Sequence, residues 1–221
     1  MLKLRPNWRE RFFADEQPQH TVYLDGFWIY KREVTVAQYR KFCAETARKM
    51  PDLPRWADEH FPMVNVSWHD AAAYAAWAGG ALPTEAQWEK AARGTDGRRY
   101  TWGSSWDAEK CNNYSDTAEI GGGFQANRAA AGGSYPASDS PYGAQDMAGN
   151  VWEWCQDCWH VTYEDAPLNG SAWQEENGGD CDLRVTRGGS YDFFRFSLRA
   201  SMRYNYYPSQ AQGHLGLRCV R

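Results

Sequence analysis

The sequence predicts an α+β domain with few helices, short strands and long irregular connections. Three observations lead there. Helix starts are written out at three places, short strand patterns lie before and after them, and the composition reserves much of the chain for turns. Among 221 residues there are 20 Gly and 10 Pro, and the apolar content sits in 12 Trp, 13 Tyr and 9 Phe. Mean hydropathy is −0.76. Large rings holding irregular backbone fit that balance better than a continuous aliphatic sheet. The length suits one domain, and no internal repeat divides it.

Residues 1–20 are polar and Arg-rich and read as an N-terminal extension, with the domain proper over 21–221. They lack the apolar core of a secretory signal, and no run reaches the length of a membrane span, so the default expectation is a cytoplasmic protein. Thr21-Val22-Tyr23-Leu24-Asp25-Gly26-Phe27-Trp28-Ile29-Tyr30 reads as strand, turn and strand. Thr35-Val36-Ala37-Gln38 is a capping box, and its helix places Tyr39, Phe42, Cys43 and Thr46 on one face. Ser67, with Asp70 in the first turn, caps an Ala-rich helix that stops at Gly79-Gly80. Thr84-Glu85-Ala86-Gln87 is a second capping box, whose helix buries Trp88, Ala91 and Ala92 and ends at Gly94. The stretch to Gly149 is loop-like, and a long loop in a compact domain needs a fixing agent such as an ion or packed rings. Strands are expected at 149–154, 184–187 and 217–220.

The stretch 184–221 carries two aromatic clusters, Tyr191 to Phe196 and Tyr204 to Tyr207, with neither helical spacing nor strand alternation. Seven rings in seventeen residues either line a contact surface or fill an irregular core. The same stretch has seven Arg, no Lys, one Asp and no Glu, a formal +6 against −4 for the whole chain, leaving −10 on residues 1–183. Such asymmetry means either an anionic partner or arginines paired with the acidic remainder of the domain, and the second reading is favoured. No basic motif of a known nucleic-acid fold occurs, which argues against nucleic acid as a partner. Six Cys are too few for a disulfide scaffold, and the lone Cys155-x-x-Cys158 is a weak metal or redox signal beside ordinary buried cysteines. None of the five His has metal-ligand spacing. Gly188-Gly189-Ser190 lacks the Lys of a phosphate loop and reads as a tight turn with Ser190 bonding backbone. Asp146 and Glu153 flank Gly149, and such a loop suits calcium, although spacing alone favours a surface Asp and a Glu paired with Arg.

Taken together, VYLDGFWIYKREVTVAQYRKFC, PMVNVSWHDAAAYAAWAGGALPTEAQWEKAARG, YTWG, YGAQDMAGNVWEWC, RVTRGGSY and LGLRCVR, in this order, resemble the formylglycine-generating enzyme (sulfatase-modifying factor) family from about residue 21 to 221. The resemblance implies an irregular C-type-lectin-like α+β fold stabilised by calcium. One calcium site would use Asp146, the carbonyls of Gly149 and Val151, and Glu153. A second would use Asn112 and the carbonyls of Asn113 and Phe124, with Gly122 where the family has an Asp. Formylglycine-generating enzymes hold Cu(I) through two Cys shortly after the RGGS turn, and thiolates are the soft ligands that ion needs. Here Tyr191 to Phe196 stand in that place, and no Cys lies between Cys181 and Cys219. Copper and formylglycine formation are therefore not expected. The N-terminus also departs from the family pattern.

The resulting expectation is a non-catalytic module that binds a protein or other macromolecular ligand through the C-terminal aromatic surface. Its specific form is the variable protein of a diversity-generating retroelement. Tyr191, Asp192, Phe193, Phe194, Phe196, Ser197, Tyr204, Asn205, Tyr206, Tyr207, Ser209 and His214 fall where such proteins vary. The alternatives are an oxidoreductase of the formylglycine-generating and sulfoxide synthase superfamily, or a paralogue that modulates sulfatase maturation.

Overall fold

The computed structural model describes residues 13–114 and 128–221. Three helices form where the caps predict them: α1 (Val36–Thr46), α2 (Trp68–Trp77) and α3 (Glu85–Arg93). Thr35 and Thr84 each accept from the N3 amide while the N3 Gln side chain returns to the cap amide, so both boxes are complete. Ser67 accepts from the Asp70 amide. The buried face of α1 is Val36, Tyr39, Phe42 and Cys43; Thr46, expected there, is exposed and donates to the Phe42 carbonyl at 2.7 Å.

Four strands form one sheet in the order β3-β2-β1-β4: β1 (Trp152–Trp159), β2 (Asp180–Arg187), β3 (Arg203–Tyr206) and β4 (Leu215–Gly216). β1 pairs antiparallel with β2 and parallel with β4, and β2 pairs antiparallel with β3. Rings from α1 and α2 stack beside the sheet, with Tyr39 parallel to Tyr74 at 5.5 Å and Phe42 edge-on to Tyr74. Indole donors tie this layer to the strands: Trp68 Nε1 donates to the Cys155 carbonyl at 2.8 Å, and Trp154 Nε1 to that of Val66 at 3.1 Å.

Further local expectations change, among them the strand expected at 149–154, which runs over Trp152–Trp159 because Gly149 and Asn150 take positive φ in a turn. Residues 21–30 do not form a hairpin; Trp28 and Tyr30 pair instead with Arg221 and Cys219, because the chain end offers a partner that the Asp25-Gly26 turn does not. Residues 217–220 are correspondingly extended along 28–34, and the sheet strand lies just before them, at Leu215–Gly216. The second aromatic cluster, read as irregular, is β3, paired from Arg184↔Tyr206 to Arg187↔Arg203. Cys158 is bonded to Cys181 across a register shift between β1 and β2, so the Cys155-x-x-Cys158 pair is split; Cys43, Cys111, Cys155 and Cys219 are free and buried. No helix among the described residues is long and apolar enough to cross a membrane.

Candidate recognition surface

Buried ion pairs fix the strands that carry the aromatic clusters. Arg187, Arg203 and Arg218 are almost completely buried. Arg203 meets both Glu85 oxygens at 2.7 and 2.9 Å and lies over the Trp159 and Tyr163 rings. Arg187 reaches Glu89 at 2.6 Å and Glu85 at 3.3 Å. Burial works to raise the Glu85 carboxyl, but Arg203 and Arg187 outweigh it and hold the group below its ordinary range. Residues 13–20 join the same layer through Glu16, bidentate to Arg199, and the Asp15 carbonyl, which accepts from Arg203. Much of the C-terminal positive charge is thus spent inside the domain, which was the favoured reading of the sequence.

Two tight turns bring the segments together. Gly149, at φ 97°, donates its amide to the Gly188 carbonyl at 2.8 Å, and a Cβ there would lie 2.2 Å from the Asn112 carbonyl oxygen. Gly189, at φ 74°, would place a Cβ 2.8 Å from the Ser197 carbonyl oxygen. Asn150 links the turns: its amide side chain donates to both Glu33 oxygens at 3.0 Å, its Oδ1 accepts from Asn112 Nδ2 and the Ala130 amide, and its carbonyl accepts from Tyr191.

Beyond the second turn, side chains from three segments form a hydrogen-bonded chain. The Ser190 hydroxyl donates to Asp192 Oδ1 at 2.6 Å, not to backbone as expected, because the buried turn points it at the carboxylate. Asp192 Oδ2 lies 2.9 Å from His214 Nδ1, and His214 Nε2 lies 3.0 Å from the Tyr206 hydroxyl. With Nδ1 protonated and donating to Asp192, Nε2 of the neutral ring accepts from Tyr206; an imidazolium donates to both. Burial pushes the Asp192 carboxyl up, but the bonds from His214 and Ser190 prevail and hold it below its ordinary range. Burial raises the Tyr206 hydroxyl.

Rings surround this chain and divide between core and surface. Tyr191 is 8% exposed and packs edge-on to Trp56, so it faces inward. Phe193 is half-buried, perpendicular to Trp152 at 5.4 Å and edge-on to His214 at 5.7 Å. Tyr204 lies 5.6 Å from the Trp152 ring and 6.3 Å from Phe193, and meets Tyr206 at 5.2 Å. Phe194, Phe196, Tyr204 and Tyr207 are 44, 42, 39 and 57% exposed. Phe194 and Phe196 lie nearly parallel, with centroids 6.0 Å apart. Asn205 and His214 are half-buried, Ser197 is buried and Ser209 is exposed. Trp152, the ring on which Phe193 and Tyr204 rest, was not singled out from sequence; its place in a buried strand running into the rings was the available signal.

The residues expected to bind metal are also placed. Asp146 and Glu153 are buried beside Glu33, with Arg218 among the three. Both Glu153 oxygens are engaged by Arg218, and Oε2 also accepts from Trp88 Nε1 at 2.6 Å. Asp146 Oδ2 accepts from the Gly133 amide at 2.6 Å. Burial first, then the neighbouring carboxylates, raise Glu33 well above its ordinary range, and burial raises Asp146. Hard oxygen donors with an excess of buried negative charge suit calcium in kind, while Glu153 is already committed to Arg218. Among the described residues, no group of three or more His, Cys, Asp or Glu is arranged to hold a metal ion. At the second expected site Asn112 and Asn113 are buried, and Asn113 Oδ1 has no hydrogen-bond partner among the described residues; Phe124 and Gly122 lie outside them.

This arrangement can be set beside known proteins. The family model described as the sulfatase-modifying factor enzyme 1-like domain matches residues 4–221. The chain belongs to this family. It is 34% identical over 166 residues to the formylglycine-generating enzyme of Thermomonospora curvata, covering 72% of this chain and 55% of that protein. It thus spans about half the length of that curated relative. Among solved structures, PvdO from Pseudomonas aeruginosa superposes with a TM-score of 0.81 at 29% identity, over 94% of this chain and 85% of that one. The Treponema denticola variable protein 1 shares the fold, with a TM-score of 0.63 at 21% identity over 91% and 86% of the two chains. The α+β, C-type-lectin-like architecture expected from the motifs is the one these neighbours share.

Proposed function

We propose that this chain is a binding module on the family scaffold, which recognises a protein or other macromolecular ligand through its C-terminal aromatic surface. One observation carries the reading. Immediately after the RGGS turn, where the resemblance calls for copper-binding thiols, Phe193 packs on Trp152 while Phe194 and Phe196 are exposed, and Tyr204 and Tyr207 of the second cluster are exposed as well. A phenyl ring neither ligates Cu(I) nor exchanges thiols, whereas exposed rigid rings supply contact area at low entropy cost. The fold shared with a protein described as variable supports the more specific form, a variable protein of a diversity-generating retroelement. The relative named as a formylglycine-generating enzyme supports the alternative, an oxidoreductase.

The reading includes a structural calcium ion. Asp146 and the carbonyls of Gly149 and Val151 would hold it, with Glu153 beside them. The buried excess of carboxylates around Arg218 supports it.

The test is selection of binders from a displayed library of random peptides and small domains on the immobilised chain, compared with a Tyr204→Ala/Tyr207→Ala double variant of unchanged near-ultraviolet circular dichroism. Binders that need both rings are expected. Binders indifferent to the rings, or oxygen uptake by the chain with a thiol peptide, would contradict the proposal.

A further inference from the structure

We propose that the face formed by Phe194, Arg195, Phe196 and Arg99 receives an acidic segment of a protein partner, with a carboxylate on the guanidiniums and a neighbouring apolar side chain on the rings. The inference rests on the binding reading above and names the chemistry of the partner.

It begins with the arginines that have no ion pair among the described residues. In 184–221, Arg187, Arg199, Arg203 and Arg218 pair with carboxylates. Arg184 donates to the Gln156 carbonyl and lies over Trp68, and Arg221 donates to the Ala78 carbonyl. Arg195 stands apart: it is exposed, lies between the two exposed phenylalanines, and has no ion pair among the described residues. A second such arginine comes from a distant part of the chain. The Arg99 carbonyl accepts from the Ala200 amide at 2.8 Å, which pins the 99–103 loop against the turn that carries Arg195. The Arg99 guanidinium likewise has no ion pair among the described residues. The bond from the Ala200 amide sets the backbone carrying Arg99 beside the segment that follows Arg195, and both side chains are exposed. Among the described residues, Arg199 has a carboxylate partner, Glu16, whereas Arg195 and Arg99 have none.

Aromatic surface continues around this charge. Half-buried Tyr114 meets Phe194 edge-on at 5.0 Å, and half-buried Trp102 and Trp106 pack on the buried Tyr100 ring at 5.1 and 5.2 Å. Arg beside exposed rings is the composition that dominates protein interfaces. The guanidinium fork matches a carboxylate in two parallel hydrogen bonds.

The experiment is selection of a random displayed peptide library on the intact chain, counter-selected on the Arg195→Glu variant. Affinities of the enriched peptides, of their Asp→Asn and Glu→Gln forms, and of a fluorescent oligothymidylate are then measured by anisotropy. The expected result is enrichment of Asp or Glu next to Phe, Trp or Leu. Affinity should fall about tenfold or more on amidating the carboxylates, on Arg195→Glu, or on raising salt from about 0.05 to about 0.5 M, and Arg99→Glu should weaken it further. Neutral peptides that bind as well and need only the rings would overturn the acidic partner while leaving a binding surface. Tighter binding of the oligothymidylate, or no ring-dependent or arginine-dependent enrichment at all, would also overturn it.

Discussion

The C-terminal segment contains two regions built from the same residue types and put to opposite uses. In the interior, Arg187, Arg203 and Arg218 meet Glu85, Glu89 and Glu153 and lie against Trp88, Trp159 and Tyr163. At the rim, Arg195 and the rings of Phe194 and Phe196 face solvent. Composition is nearly the same, and partners decide. Where β1, α3 and residues 13–20 supply carboxylates, arginine becomes framework; where no described residue supplies one, it becomes surface.

The largest effect that tests this contrast is at the framework. Arg218→Met leaves Glu153, Glu33 and Asp146 buried without their guanidinium, and removing one partner from a buried pair costs about 3–5 kcal/mol. Urea denaturation should show that loss, and a cost below about 1 kcal/mol would mean that the charges are relieved by something else. Next is the Cys158–Cys181 bond, which closes a loop with a sequence separation of 23 between β1 and β2. Cys158→Ser should cost about 2–4 kcal/mol, and reductant should lower the melting temperature of the parent but not of the variant.

A pH test follows. Asp157 is buried and its carboxyl is pushed up to about 7, first by burial and then by Glu85, against the two amides of Glu85 and Trp173 that donate to it. The native state therefore binds a proton that the unfolded state has already released, and the stability contributed by this group falls as pH rises from about 4 through 7. The melting temperature of the parent relative to Asp157→Asn should decline over that range; a growing advantage would reverse the assignment. The smallest stability effect belongs to the rim. Phe194→Ala and Phe196→Ala should each change folding stability by less than about 1 kcal/mol, while binders selected on the parent lose affinity. A large stability loss would move these rings into the core.

The helices were legible because their signals are local: Thr35 with Gln38, and Thr84 with Gln87, carry complete caps within four residues. β3 was not, because its inward residue is Arg203, whose partner Glu85 lies 118 residues away, so the alternation is not one of apolar and polar types. The disulfide was hidden for a similar reason, since Cys158 meets Cys181 only through a strand pairing that the spacing does not encode. At the surface, the ring clusters and His214 could be named in advance. Which rings turn inward could not, because Trp56 decides it for Tyr191 and Trp152 for Phe193, and both come from other segments. Arg99 was invisible for want of any sequence neighbour to mark it.

The most direct test of the central claim is metal content of the purified chain by mass spectrometry, with oxygen consumption followed in the presence of a Cys-containing sulfatase peptide. The account predicts calcium, no stoichiometric copper or iron, and no oxygen uptake above the peptide alone. Stoichiometric copper or iron with turnover of the peptide would contradict it and make the Asp192–His214–Tyr206 chain the first place to look for the chemistry.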